Sequence, residues 1–243
     1  MRRLSKKGFK DMKAYIIHIK GNANSEKTAG WAYDSCIEHG YDAELFEGIT
    51  PKNVKEFDKK YNLTVMNPSH MYDRQIGKNG TNWTYECKYS NFLNHYTLWN
   101  KCIELDEPIV ILEHDVFAKK PWGDTQFDEM LVLNMHNGLH QNIFDTTSKP
   151  TLMKGIHTYV NPFLNYKSKN IWLNAGMIPG SAAYAISPKG AKRIINNVKE
   201  HGWDKADYII NTKSIHMQYA FPDYFELSHY IFGNQRTSHG ENT

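Results

Sequence analysis

The stretch Pro108-Ile109-Val110-Ile111-Leu112-Glu113-His114-Asp115-Val116 decides how this chain folds. Pro108–Leu112 is a continuous apolar run of β-branched and aliphatic residues, the pattern of a strand buried on both faces of a sheet. It runs straight into two carboxylates one residue apart. Acids at the end of so buried a strand are costly unless a cation or hydrogen bonds meet them. In an open α/β sheet, ligands collect at the carboxyl ends of the strands, which is where Glu113 and Asp115 stand.

Outward from that strand, the pattern is α/β. Ala14–Ile19 (AYIIHI) reads as a first strand, followed by a polar turn, Lys20–Ser25, with Ser25 as the expected helix cap. Glu26–His39 has helical spacing and stops at Gly40, and Asp42–Glu47 (DAELFE) reads as a second strand parallel to the first. This β-α-β opening implies a parallel sheet. Residues 51–61 read as a charged helix, 62–84 as a long surface loop and Tyr85–Leu105 as a helix with Phe92, Tyr96, Trp99 and Ile103 aligned. Further on, Met130–Asn134 and Ala182–Ile186 read as strands, with 136–170 rich in loop residues between them. Pro188–Glu200 is a helix with proline in its first turn, and Asp204–Ile210 a short helix or strand. From Ser214 onward, aromatic and polar residues alternate. The expectation is one α/β domain over residues 12–243, with a mainly parallel central sheet flanked by helices.

The bulk properties agree. The 243 residues are 40% hydrophobic and 13% aromatic, enough for a substantial core. Of the net charge of +3, residues 1–11 hold five basic side chains and one acid, so the remainder sums to −1. The basic segment is expected to be a solvated, disordered tail; contact with phosphates or acidic lipid is the alternative. Cys36, Cys87 and Cys102 are an odd number without C-x-x-C spacing, which argues against a disulfide framework or a zinc knuckle. No stretch has a signal-peptide pattern or the roughly 20 apolar residues of a membrane span, so a cytoplasmic protein is expected.

Glu113 and Asp115 could together contact one hard divalent cation, Mn²⁺ or Mg²⁺. Such a cation binds few protein oxygens and completes its shell with a substrate diphosphate. Lys20 and Asn22, in the turn after the first strand, should then lie near a nucleotide. His18 or Tyr15 would line the cleft, according to which face of that strand is turned to it.

Four segments, in order, resemble the family 25 glycosyltransferases, which include lipopolysaccharide sugar transferases and collagen galactosyltransferases. They are AYIIHIKGNANSEK; ELFEGITP; ECKYSNFLNHYTLWNKCIELDEPIVILEHDV; and GSAAYAISPKGAKRIINN with the later Asp207 and YAFPDYF. The match extends over roughly residues 13–225. His95 and Trp99 fill the histidine and tryptophan places of the family helix, and Asn94 replaces its serine. Two features depart from the pattern: His114 stands at the middle triplet position where the family has aspartate, and Lys20 and Lys27 replace an arginine-rich turn.

The resemblance implies a GT-A fold, a nucleotide-sugar donor (a UDP-sugar favoured) and transfer with inversion to an acceptor hydroxyl. It implies a metal held by Asp115 and Glu113, with Asp207 as general base. Asp115 as a turn cap and Asp207 as a helix-terminus carboxylate are the structural alternatives. His95, His114, Gly180 and Ser181 are the remaining donor-site candidates. For His95 a core histidine, and for Gly180 and Ser181 an ordinary turn, are the competing explanations. One of His216, His229 and His239 is a candidate to complete the metal shell. The family default acceptor is lipopolysaccharide or another glycan. DNA carrying hydroxylated or hydroxymethylated cytosine, as modified by bacteriophage enzymes, is the alternative, to which Lys149, Lys154, Lys167 and Lys169 would contribute charge. A second class of function, prompted by His114, is a non-catalytic sugar- or nucleic-acid-binding domain.

Overall fold

The computed structural model describes residues 12–66, 75–76, 82–134, 155–158 and 181–227. In chain order the elements are β1 (Lys13–His18), α1 (Ala23–Glu38), β2 (Asp42–Glu47), α2 (Val54–Tyr61), β3 (Gln75–Ile76) and β4 (Asn82–Trp83). Then come α3 (Tyr85–Leu105), β5 (Ile109–Glu113), β6 (Val116–Ala118), β7 (Met130–Val132) and β8 (Gly155–Thr158). The last are β9 (Ala183–Ile186), α4 (Pro188–His201), α5 (Ala206–Ile209), β10 (Met217–Phe221) and β11 (Phe225–Leu227).

Seven strands form one sheet in the order β2-β1-β5-β9-β7-β10-β8. β2, β1 and β5 run parallel, and β10 runs parallel to β7. β9 is antiparallel to both β5 and β7, and β8 is antiparallel to β10. Five strands therefore share one direction and two oppose it. This mixed sheet, flanked by helices, is the α/β domain that the sequence implies. β5 is apolar throughout because both of its faces are covered. Ile109 and Ile111 pack under α3 and α4, whereas Val110 and Leu112 pack on the side of Ala29, Ala32 and Cys36 of α1.

The ends of the helices show why they start and stop where they do. α1 is capped by Asn22, whose side chain accepts from the Ser25 amide at 3.0 Å. The cap therefore lies three residues before Ser25, and the Ser25 hydroxyl instead accepts from the Ile19 amide at 2.9 Å, pinning the turn to β1. At its other end Gly40 takes φ +78 while Tyr41 N–H reaches Cys36 C=O and Gly40 N–H reaches Ile37 C=O. These two reversed bonds and a left-handed glycine close the helix. Thr84 caps α3, and Ser187 followed by Pro188 opens α4. The expected loop over 62–84 contains a two-residue β3–β4 pairing.

α4 packs so closely on the start of β7 that one of its glycines has no room for a side chain. A Cβ on Gly190 would lie 2.4 Å from the Glu129 carbonyl oxygen. The neighbour is backbone, held by the Ser187 N–H to Glu129 C=O bond of 3.0 Å, and cannot swing aside. Gly190→Ala is expected to destabilise the fold by about 2–3 kcal/mol, the upper range of overpacking. A denaturant midpoint unchanged from wild type would contradict this packing.

Candidate active site at the carboxyl ends of β1 and β5

A cleft opens where β1 and β5 end, lined by Ile17 and Ile19, by Ile49 and Pro51 after β2, by His95 of α3 and by Glu113 of β5. Ile17 pairs in register with Glu113, and both belong to the sheet face that α3 covers. The alternation of the pleat settles which residues of β1 serve the cleft. Tyr15 is on the cleft face but buried below it in the core, and His18 falls on the opposite face. The Nδ1 of His18 is buried with no hydrogen-bond partner among the described residues.

One carboxylate, Glu113, lines the cleft. Burial pushes the Glu113 carboxyl well above the usual glutamate range, and the fields of Asp115 and Asp207 push it further. Glu113 closes β5, Asp115 lies half-buried in the turn before β6, and Asp207 comes from the first turn of α5. Asp115 and Asp207, from two distant parts of the chain, thus both lie near enough to Glu113 for their charges to act on it. Among the described residues, no three His, Cys, Asp or Glu side chains draw close enough to enclose a metal ion by themselves.

The other candidate residues divide by position. His114 is 2% exposed and lines the cleft beside Glu113, with Nδ1 2.8 Å from the Thr28 hydroxyl of α1. His95 is buried at the cleft wall, its Nδ1 2.8 Å from the Tyr184 hydroxyl. Ser181 is buried and takes φ +25 just before β9. It lies beside the triplet, because the next residue, Ala182, accepts the Glu113 amide at 2.9 Å. Lys20 is exposed and pairs with Glu47 at 3.0 Å, Lys27 lies over the Trp31 ring, and Asn22 is the α1 cap. His216 sits at the opposite end of the sheet with Asp128, 3.2 Å away, so it does not join the carboxylates. Gly180, His229, His239 and the lysines at 149, 154, 167 and 169 lie outside the described residues.

Asn94 has a role that sequence reasoning missed. Its Oδ1 accepts from Ile49 N–H at 2.6 Å and its Nδ2 donates to Ile49 C=O at 3.2 Å. One amide side chain thus clamps the backbone of the loop that forms a cleft wall. The signal was an asparagine on the inward side of a helix whose neighbours are apolar. Gly48 makes the clamp possible: a Cβ there would sit 2.9 Å from the His18 carbonyl oxygen, to which Gly48 N–H already donates at 2.7 Å. Asn94→Ala strands a buried donor and acceptor and is expected to destabilise the fold by about 2 kcal/mol. It should also raise KM for whatever ligand fills the cleft. An unaltered KM together with an unaltered unfolding midpoint would contradict the clamp.

The model of glycosyltransferase family 25, described as an LPS biosynthesis protein family, matches residues 12–210. The chain belongs to glycosyltransferase family 25. No curated protein matches it significantly. The matched region takes in β1, the acidic triplet, His95, Tyr184 and Asp207, so the cleft of this family 25 chain lies wholly within it. No described helix is long and apolar enough to cross a membrane.

Among the described residues of this family 25 chain, Glu129 and Asp204 are the buried carboxylates. Asp204 is fully buried next to Trp203, which stacks on Tyr89 at 4.2 Å. Burial pushes its carboxyl up to about 6, against the opposing bond from Lys205 N–H and the field of buried Lys88. A folded value above the unfolded 3.8 means the native state holds this proton more tightly. Its stabilisation is complete below the unfolded value and is lost as pH rises from about 4 to about 6, by roughly 3 kcal/mol. Asp204→Asn should flatten that part of the stability–pH curve. Parallel curves for variant and wild type, measured by denaturant unfolding, would contradict this.

Proposed function

We propose that the chain is a metal-dependent inverting glycosyltransferase that uses a nucleotide-sugar, preferably a UDP-sugar, and glycosylates a hydroxyl of a surface glycan in the cytoplasm. The observation that carries this is Glu113, which lines a cleft at the carboxyl ends of parallel strands with the charges of Asp115 and Asp207 acting on it. Half-buried acids that repel one another fit a divalent cation, because a cation relieves both the desolvation and the repulsion. Asp115 and Glu113 would hold Mn²⁺ or Mg²⁺, which when bound stabilises the charge of a departing diphosphate. Two protein carboxylates would leave room in the shell for diphosphate oxygens and water.

Transfer then needs one displacement. The acceptor oxygen forms its bond to the anomeric carbon, the bond from that carbon to the diphosphate oxygen breaks, and Asp207 takes the acceptor proton. The nucleoside diphosphate leaves with the bonding electrons, and the anomeric configuration inverts. Ile17, Ile19 and Ile49 give the cleft an apolar wall that limits water near the reacting carbon.

The test is turnover of UDP-, GDP- and CMP-sugars with Mn²⁺, Mg²⁺ or chelator, with glycan acceptors and with DNA containing hydroxymethylcytosine. Metal-dependent release of one nucleotide is expected, rising with a glycan. A rise confined to modified DNA would move the acceptor to nucleic acid, and no turnover of any donor with either metal would overturn the proposal.

A further inference from the structure

The hydrogen bonds behind the cleft wall determine where the protons of a buried histidine reside. Tyr184 is fully buried in β9, and its hydroxyl has two partners: Trp99 Nε1 at 2.9 Å and His95 Nδ1 at 2.8 Å. Indole N–H only donates, so the bond from Trp99 uses a lone pair of the tyrosine oxygen. The phenol proton must then go to the other partner. Were His95 protonated at Nδ1, the oxygen would accept from both neighbours, and a fully buried O–H would be left without an acceptor among the described residues. Burial also raises the Tyr184 phenol well above its usual value, so the proton stays on the oxygen.

We infer that Trp99 and Tyr184 hold His95 as the neutral Nε2–H tautomer, making His95 a hydrogen-bond donor to an oxygen of the ligand in the cleft. His95 spends Nδ1 on a hydroxyl in the core, yet the residue lines the cleft. The ring proton is therefore on Nε2, an atom that is itself buried at the cleft wall. This wall is a fixed donor and recognises an acceptor: a diphosphate, a sugar hydroxyl or a base carbonyl oxygen. The identity of that ligand as a nucleotide-sugar rests on the function proposed above; the tautomer does not. Tyr184 and Trp99 touch no ligand and act through His95 as positioning residues. The helix supplies the spacing: His95 and Trp99 are four residues apart, on one face of α3, and reach the same oxygen.

The proposal is tested by a two-bond ¹H–¹⁵N histidine correlation spectrum of the ¹⁵N-labelled full chain without ligand, with the His95 signals assigned by their loss in His95→Gln. The expected wild-type pattern has Nδ1 in the unprotonated class and Nε2 in the protonated class. Tyr184→Phe should shift His95 toward a mixture of tautomers, whereas Trp99→Phe should leave Nε2–H in place because the phenol still donates. Protonation of Nδ1 in wild type would overturn the inference, even if no variant folds. In titrations with uridine diphosphate and Mn²⁺, Tyr184→Phe is expected to weaken binding about fivefold. Unchanged affinity would remove the donor role at the cleft. A wild-type Nε2–H pattern in a protein that turns over no nucleotide-sugar would refute the enzymatic assignment alone.

Discussion

Asp115→Asn is expected to lower the rate of sugar transfer by about 10²–10³-fold while leaving the fold intact, the scale seen when one preorganised charge-stabilising group is removed. The substitution keeps the shape of the side chain and deletes one negative charge. Asp115 stands half-buried in the turn after β5 and contributes to the field that raises Glu113. If its role were only to cap that turn, the asparagine amide would do nearly as well. Activity and stability would then both stay close to wild type. If it holds a cation against a leaving diphosphate, kcat falls steeply and excess metal restores little of it. Steady-state kinetics beside a thermal melt separates the two.

Glu113→Gln should move activity and stability in opposite directions. Burial and two neighbouring carboxylates keep the Glu113 carboxyl well above its ordinary value, so its ionised form works against folding. A raised acid leaves the fold most stable below the unfolded value of 4.5, and stability is lost as pH rises through the folded value. A neutral isostere escapes that loss. The metal-free variant is therefore expected to be more stable than wild type by roughly 1–3 kcal/mol at pH 8, with the gap closing toward pH 4. Transfer should nevertheless fall at least about a hundredfold, because the cation loses a charged ligand. Mn²⁺ should narrow the stability gap by binding the folded wild type. A destabilised variant at pH 8 would mean that Glu113 is already satisfied within the protein.

The parts of this architecture legible in the sequence are those governed by local chemistry. The run Ile109–Leu112 could only be a strand covered on both faces, and the acids after it had to lie at a sheet end. α3 fell on the residues its periodicity marks, Tyr85–Leu105, because its start is capped by Thr84 and its inward face is aromatic. The direction of β9 was not legible. Ala183–Ile186 has the composition of any buried strand, and composition does not say which way a strand runs. The α1 boundary was misjudged because Asn22 and Ser25 are both good capping residues, and the choice depended on the Ile19 amide needing the serine.

The site shows the same division. The place of Glu113 and Asp115 followed from strand position, but the charge of Asp207 acts on Glu113 from far along the chain, and only the family resemblance pointed to it. His114 was ambiguous in sequence, since a residue between two acids can face either way. In the structure it lines the cleft while its Nδ1 reaches Thr28. Asn94 and Tyr184 act through bonds to residues far along the chain, Ile49 and His95, which no local pattern announces.

The claim that Glu113 and Asp115 build a cation site for a nucleoside diphosphate is tested most directly by Mn²⁺ uptake, followed by electron paramagnetic resonance with and without uridine diphosphate. The account predicts one protein-bound Mn²⁺ per chain, bound more tightly with the nucleotide, and loss of that signal in Asp115→Asn. Equal uptake by wild type and Asp115→Asn, or uptake indifferent to nucleotide, would contradict it.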